Sequence, residues 1–380
     1  MNAGFGRADN SLVARWWWTI DRWSLAALMA IIAIGAILAM AATPPVAEKL
    51  GLDAFHFVRR QFLLLPVAVS IILVVSLLDL STVRRIAAAV LLVSVVLLAV
   101  TLFAGAEIKG ARRWINLPGF SLQPSEFVKP SFAVICAWLL SLQRRQTGFP
   151  GDLVAFGIYA VIIVLLARQP DIGMSVVVTM IWFSQYVVAG LRIASTMLFF
   201  ALFGVAGVGV YFLGPMIGLG HFTSRVDRFL DPSSGDTYQV SRSLEAFSNG
   251  GFAGQGPGEG RVKTHLPDAH SDFIFAVVGE EFGLVACLLI LALFAFLVLR
   301  GFVRLLAENS LFAVLATTGL LVQFGLQAII NLGSTLHILP TKGMTLPFVS
   351  YGGSSLLALS LGMGFMLALT RKRYGPGEGE

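Results

Sequence analysis

The sequence carries little charge. Of its 380 residues only 13% are Asp, Glu, Lys or Arg, whereas a soluble domain carries about 25%. Hydrophobic residues make up 57% of the chain. A soluble fold of this length could not remove so much apolar surface from water, because much of any folded surface stays exposed. The composition therefore excludes a soluble globular protein and indicates an integral membrane protein.

Cysteine is also scarce. The two cysteines, Cys136 and Cys287, lie inside apolar runs, which excludes a secreted disulfide-linked scaffold. No basic segment alternates with aromatic residues outside the apolar runs, so the net charge of +6 is assigned to membrane-flanking positions and no nucleic-acid partner is expected. No small-residue cleavage site precedes the first apolar run, which predicts a retained membrane anchor.

Long apolar runs fill most of the chain. A membrane-spanning helix needs about 20 predominantly apolar residues, and ten segments of the sequence are candidates, of which 152–167 is short. They predict an all-α polytopic membrane protein, with one transmembrane domain over 23–371 between tails of residues 1–22 and 372–380. The predicted spans are 23–43, 58–78, 86–105, 126–142, 152–167, 172–190, 193–219, 273–299, 311–336 and 348–370.

Ten spans place both termini on the same side of the membrane. Basic residues divide almost equally between the two sides, but their surroundings differ. The terminal side has short loops with bare arginine pairs, and its tail 1–22 carries Trp and Arg residues typical of a membrane interface. The other side has two longer loops, 106–125 and 220–271, in which charges mix with Pro and Gly. This pattern favours cytoplasmic termini and outer loops.

The loop 220–271 ends in a glycine-rich run, 250–260. The run lacks the Gly-Lys-Ser/Thr sequence of a phosphate-binding P-loop. Two interpretations stay open: a flexible linker, or a loop whose bare backbone approaches a bulky substrate. Because glycines offer few side chains for packing, the loop is expected to move during catalysis. A short amphipathic helix is predicted before the run, at about Tyr238–Ser248.

Asp272 opens the span 273–299 at its outer end. A partly desolvated carboxylate at the edge of an apolar wall makes a good general base. The alternative is a capping role for Ser271 or Asp272 at the start of the helix. A metal site formed with Asp268 and His270 is not favoured, because alternating residues share one side only in a strand.

Two further carboxylates, Glu280 and Glu281, lie inside the same predicted span. An unpaired carboxylate at membrane depth is costly. The favoured interpretation is a buried structural pair bonded to other helices.

Cations cluster on the outer side. Glu126 and Lys129 fall on one helix face at i, i+3, Arg112 and Arg113 adjoin Trp114, and Arg60 lies at the outer end of the second span. Lys342 lies between two prolines in the last outer loop. Arginine matches phosphate oxygens bidentately. The cluster therefore suits an anionic, lipid-linked substrate, with contact to lipid headgroups as the alternative.

Five segments, in this order along the chain, resemble those of the SEDS family (shape, elongation, division and sporulation). The resemblance covers nearly the whole chain, about 23–371, and favours the cell-division branch over the elongation branch. Ser271 is a departure, since the family usually has Thr there. The segments are Gly110–Ile115, Gln123–Pro130, Gln169–Gly173, Leu266–Glu281 and Leu339–Ser355.

The resemblance implies a peptidoglycan glycosyltransferase that polymerises lipid II by inverting displacement at the outer face of the plasma membrane, at the division septum. It implies as partners a class B penicillin-binding protein of the FtsI type and other divisome membrane proteins. No cofactor held by a protein motif is implied, and a divalent cation, Mg²⁺ or Mn²⁺, is left open. Asp272 matches the catalytic aspartate, and the residues expected at the substrate are Arg60, Arg113, Glu126, Lys129, Asp171 and Lys342.

Three other functions compete with this one: a lipid II flippase, an elongation-type polymerase and a scaffold without activity. A transporter should carry polar groups near the membrane midplane, whereas the chemical groups of this sequence cluster towards one side. A scaffold gives no reason to place a carboxylate and cations around one cavity. These points favour an enzyme.

Overall fold

The computed structural model of the chain is predominantly helical. It describes residues 11–108, 111–117, 120–146, 148–190, 193–217, 223–224, 226–227, 229, 238–266, 268–340 and 343–372. The helices are α1 (Leu12–Thr19), α2 (Arg22–Ala42), α3 (Pro44–Lys49), α4 (His56–Ser76), α5 (Leu80–Ala104), α6 (Pro124–Arg145), α7 (Gly151–Arg168), α8 (Ile172–Val188), α9 (Ile193–Leu213), α10 (Tyr238–Gly250), α11 (Ile274–Leu305), α12 (Leu311–Thr335) and α13 (Gly353–Leu369). Three short strands are β1 (Ala106–Ile108), β2 (Ala111–Leu117) and β3 (Phe120–Leu122).

The predicted all-α polytopic membrane fold is confirmed. Eight helices of the described residues are long and apolar enough to cross a membrane, and α8 and α13 are shorter apolar helices. Each of the ten predicted segments overlaps one of these helices, while the number that actually cross the bilayer stays a prediction. The predicted amphipathic helix before the glycine run is α10.

The most buried helices, α6 and α12, form the centre of the bundle. Within the most apolar 18-residue stretch of each helix, 83% of the residues are buried in α6 and 72% in α12, compared with 28% in α5. Helix α6 packs against α5, α8, α12 and α13, and α13 packs on α4. Polar side chains on α6 and α12 therefore face protein and not lipid, which is where a membrane protein can hold them.

The predicted loop 106–125 contains a small antiparallel sheet in the order β1-β2-β3. Ala106 pairs with Trp114, and Ile115 pairs with Leu122. In strand β2, Arg113, Ile115 and Leu117 share one face, and Arg112, Trp114 and Asn116 share the other. The sheet gives Arg113 a fixed position above the helices.

Helix α11 is broken at Gly283, which has φ 73° and ψ −172°. The part after the break, 284–305, is about 33 Å long at 1.5 Å per residue, close to the hydrocarbon thickness of about 30 Å. Glu280 and Glu281 therefore precede the segment that is long enough to span. Burying non-helical backbone requires new hydrogen-bond partners.

The glycine-rich run supplies those partners. Two amides after the break donate to carbonyls of the run, and the carbonyls of Glu280 and Glu281 accept from its amides, so the bonds that these four groups would share in a continuous helix are replaced. The bonds are Leu284 N to Gly251 O at 2.9 Å, Val285 N to Phe252 O at 3.3 Å, Gln255 N to Glu280 O at 2.9 Å and Gly256 N to Glu281 O at 3.0 Å.

The two glutamates also hold this run. Glu280 Oε1 accepts from the amides of Arg261 and Val262 at 2.9 and 3.0 Å. Glu281 accepts from Gly258 N at 2.9 Å and pairs with buried Lys263 at 2.5 Å. The predicted structural role of the pair is correct, but its partners are a loop backbone and a lysine, not other helices.

Glycines are needed here because backbone approaches backbone. A Cβ on Gly250 would lie 1.8 Å from Gly279 O, and one on Gly254 would lie 2.2 Å from Glu281 O. The expectation that this run cannot pack is therefore wrong at Gly250 and Gly254. Motion of the loop during catalysis stays a prediction.

We expect Gly250→Ala to destabilise the protein by about 1–3 kcal/mol, the usual cost of overpacking. The added methyl group meets a backbone carbonyl that cannot move aside without shifting α11. Thermal unfolding in detergent measures the effect. Gly207→Ala is the matched control, since a Cβ on Gly207 in α9 meets nothing within 4 Å. Equal unfolding temperatures for the two variants would contradict the packing argument.

The last predicted span, 348–370, begins later than expected, because helix α13 starts only at Gly353. The residues before it are non-helical but buried, Phe348 and Ser350 among them. Phe348 has φ 61°, and a Cβ on Gly35 of α2 would lie 2.1 Å from its carbonyl oxygen. Buried irregular backbone is tolerated at membrane depth where protein surrounds it. This buried segment, 343–351, forms one wall of the site.

At the opposite end of the bundle, Asp21 fastens the N-terminal region to α11. Arg300 donates two hydrogen bonds of 2.7 Å to its carboxylate, and Arg304 lies 3.1 Å away. Burial acts to raise the pKa of Asp21, but hydrogen bonds from Arg300, Arg304 and Ser24 outweigh it and lower the pKa to about 2. The interfacial helix α1 is held by Trp16, which donates to Ser76 Oγ at 2.8 Å.

Candidate active site

Asp272 lies in a turn directly before α11. Its amide donates to Asp268 O at 3.1 Å, and Asp268 adopts the left-handed region at φ 55°. The N-cap of α11 is Phe273, which makes no side-chain capping bond. Neither Ser271 nor Asp272 occupies the N-cap position, so the capping alternative loses its support.

The buried segment 343–351 passes beside the Asp272 carboxylate. A Cβ on Gly343, where φ is 61°, would lie 3.3 Å from Asp272 Oδ2. Glycine is favoured at this backbone angle, and the bare backbone leaves the carboxylate partly accessible. Asp272 is half-buried, which is the environment that suits a general base.

An aromatic cluster adjoins the same turn. His270 stacks on Phe57 with ring centres 5.1 Å apart and lies 5.4 Å from the Tyr351 ring. Burial lowers the pKa of His270, and Asp268 opposes this only in part. Arg60 is exposed and bonds to Tyr351. The predicted cation Arg60 thus lies at the edge of the turn that carries Asp272.

Glu126 and Lys129 form a fully buried ion pair of 2.8 Å, as their spacing predicts. Lys129 also donates to Gln327 Oε1 at 2.8 Å. Gln327 in turn donates to Thr345 O at 3.1 Å and lies 3.4 Å from Ser355 Oγ. The chain of contacts runs from α6 through α12 to the segment beside Asp272, so Lys129 is linked to the site through protein groups.

Arg113 and Asp171 are also brought together. Arg113 donates to the carbonyls of Gln169 at 3.0 Å and Pro170 at 2.5 Å, and its Nε lies 3.6 Å from Asp171 Oδ2. Asp171 caps α8 by accepting from Met174 N at 3.3 Å. These contacts fix strand β2 to the corner between α7 and α8. Contact of either side chain with a substrate stays a prediction.

The predicted substrate residue Lys342 lies outside the described residues. Among the residues that the structure describes, no group of three or more His, Cys, Asp or Glu side chains is arranged to hold a metal ion. Asp268, His270 and Asp272 therefore do not form such a group.

Comparison with known proteins decides the family. The family model of FtsW, RodA and SpoVE, described as "Cell cycle protein", matches residues 22–375. The chain belongs to this family. A relative from Caulobacter vibrioides, named probable peptidoglycan glycosyltransferase FtsW, is 40% identical over 372 residues, covering 98% of this chain and 94% of the relative. A relative of the same name from Geobacter metallireducens is 34% identical over 371 residues, covering 94% and 96% of the two chains.

Solved structures agree with the FtsW/RodA/SpoVE fold. A chain from a peptidoglycan synthase complex, in a study of polymerization and crosslinking, has a TM-score of 0.75 and 28% identity, covering 92% of this chain and 97% of that one. The rod shape determining protein RodA of Thermus thermophilus has a TM-score of 0.67 and 27% identity, covering 95% and 99%. The predicted SEDS resemblance, closest to FtsW, is confirmed.

Several site residues of this family member escaped prediction from the sequence. Gln327 and Asn331 on α12 both contact the segment 343–351, and Lys263 holds the glycine run. A pattern was available for the amides: Gln323, Gln327 and Asn331 repeat every four residues in an apolar span, and polar side chains on one face of such a helix indicate a function. Lys263 gave no comparable pattern, because its partner Glu281 lies on another segment.

Proposed function

We propose that this chain polymerises lipid II into glycan strands at the outer face of the plasma membrane during cell division. The predicted enzyme class, a peptidoglycan glycosyltransferase, is confirmed by the names of its curated relatives. The observation that carries the mechanism is the half-buried carboxylate of Asp272, which lies beside the bare backbone of Gly343 at the start of α11.

In the proposed reaction, Asp272 is the general base. The 4-hydroxyl oxygen of the acceptor GlcNAc bonds to the anomeric carbon of the donor MurNAc while the bond from that carbon to the diphosphate breaks. The hydroxyl proton passes to Asp272, and the electron pair leaves on undecaprenyl diphosphate. A single displacement inverts the anomeric centre.

The departing diphosphate needs positive charge nearby. Arg60 is exposed at the edge of the Asp272 turn, and Arg113 is three-tenths exposed above α8. We assign both to the lipid-linked substrate, together with Lys342. Glu126, Lys129 and Asp171, the other residues expected at the substrate, are buried, and we assign them to the support of this site. A low-dielectric site strengthens each of these contacts.

The proposal includes a divalent cation, Mg²⁺ or Mn²⁺, that would accompany the lipid-linked substrate. Since the described side chains offer no cluster of three ligands, a cation would be held mainly by the diphosphate oxygens. It would neutralise charge on the leaving group.

The proposal includes a partner and a location. One similar structure comes from a complex for polymerization and crosslinking, which supports pairing of this chain with a class B penicillin-binding protein of the FtsI type. Other divisome membrane proteins, a septal location and cytoplasmic termini belong to the same proposal. Short loops with arginine pairs on the side of the termini support this orientation.

Reconstitution tests the proposal. The chain would be purified with its class B partner, placed in liposomes and given labelled lipid II. We expect glycan strands that a muramidase digests. Labelled lipid II that crosses the bilayer without polymerising would instead support the flippase alternative. If the lipid neither polymerises nor crosses the bilayer, only the scaffold alternative is left.

A further inference from the structure

Asp272 lies outside the helix that follows it, so helix geometry does not fix its position. Its turn is held from another part of the chain. The carbonyl groups of His270, Ser271 and Asp272 each accept a hydrogen bond from a residue at least 59 positions later in the sequence. The donors are Tyr351 N at 2.9 Å, Ser350 Oγ at 2.5 Å and Asn331 Nδ2 at 2.9 Å, respectively.

A second hydrogen bond lets Asn331 connect the Asp272 turn to another segment. Its Nδ2 also donates to Met344 O at 2.6 Å. A primary amide has two N–H groups, and here one serves the Asp272 turn while the other serves the segment beside the carboxylate. Asn331 is 1% exposed, and a buried bond of this kind is not replaced by water when it is lost.

Ser350 acts in a similar way at the next carbonyl. Its hydroxyl donates to Ser271 O and accepts from Leu346 N at 2.8 Å. The segment 343–351 is thereby tied both to itself and to the Asp272 turn. Gln327 fixes the same segment through Thr345 O. Asn331 and Ser350 thus both connect this segment to the turn that carries Asp272.

We propose that Asn331, supported by Ser350, is the positioning residue for Asp272. The inference rests on the proposed function of Asp272 as general base. Asn331 is buried, and in this proposal it acts through the Asp272 turn and not on the sugar or the diphosphate. It fixes the distance between the carboxylate and the wall against which the acceptor hydroxyl is placed, and a displacement of 1 Å can cost about a hundredfold in rate.

The test compares three variants in the reconstituted complex with labelled lipid II. Asn331→Leu keeps the volume but leaves two buried carbonyls without their donor, and we expect kcat to fall at least about tenfold with KM within about twofold. Ser350→Ala removes one donor and should lower kcat less. Ser334→Ala is the matched control, because it removes a buried hydroxyl bond of 2.9 Å to Asn331 O without touching the turn.

The outcomes distinguish a failure of the positioning role from a failure of the proposed function. A parent complex that makes no glycan would refute the proposed function itself. With an active parent, unchanged kcat in Asn331→Leu, a loss confined to KM, or an equal loss in Ser334→Ala would overturn the positioning role. Thermal unfolding of each variant separates misfolding from misplacement, and Ser350→Ala provides the measurement if Asn331→Leu does not fold.

Discussion

Asp272→Asn is expected to stop glycan polymerisation while the protein remains folded and inserted in the membrane. Asparagine keeps the shape of the side chain, so its packing beside Gly343 is not disturbed. It cannot accept the proton of the acceptor hydroxyl. General base catalysis contributes typically about 10²–10⁴-fold, and we expect a loss of that size in the turnover of lipid II.

Asp268→Asn is the matched control for this experiment. It makes the same chemical change four residues earlier, and asparagine tolerates the left-handed backbone that Asp268 adopts at φ 55°. We expect its turnover to stay within about threefold of the parent. Parental turnover in Asp272→Asn would contradict the general base assignment. An equal loss in both variants would assign the effect to the turn and not to the carboxylate.

The regular part of the fold was predictable from the sequence because apolar runs of about 20 residues have few alternatives in a membrane. Each predicted span overlaps an observed helix. The irregular parts were not predictable. The last span starts at Gly353 and not at residue 348, since Phe348 and Ser350 belong to a buried non-helical segment whose partners lie on α2 and α12.

The packing of the glycine run was also not predictable from the sequence. Its composition suggests freedom, because glycine has the widest choice of backbone angles. In the structure Gly250 and Gly254 lie against the backbone of α11, at distances that exclude any side chain. The helix break at Gly283 and the run are complementary, and neither half reveals its partner by composition or periodicity.

In the candidate site, contacts within one helix were predictable and contacts between distant segments were not. The pairing of Glu126 with Lys129 follows from helical spacing and was predicted. Asn331 was missed because its bond to Asp272 O spans 59 residues. Local spacing predicts partners within one helix, whereas contacts between distant segments depend on how the helices pack.

Lys129→Met is expected to destabilise the protein strongly. The lysine side chain is 0% exposed and pairs with Glu126 at 2.8 Å. Removing it leaves a buried carboxylate without its counter-charge, and breaking such a pair costs about 3–5 kcal/mol. Thermal unfolding in detergent and the yield of folded protein should both fall well below those of the parent.

The double variant Glu126→Gln with Lys129→Met separates stability from function. With both charges removed, no buried charge is left uncompensated, and stability should return to within about 1–2 kcal/mol of the parent. Turnover of lipid II should nevertheless stay low, because Gln327 loses the lysine that orients it and with it the hold on Thr345 beside the Asp272 turn. A stable double variant with parental turnover would reduce the pair to a structural element, whereas a double variant as unstable as Lys129→Met would show that the lysine stabilises the bundle through Gln327 and not through Glu126.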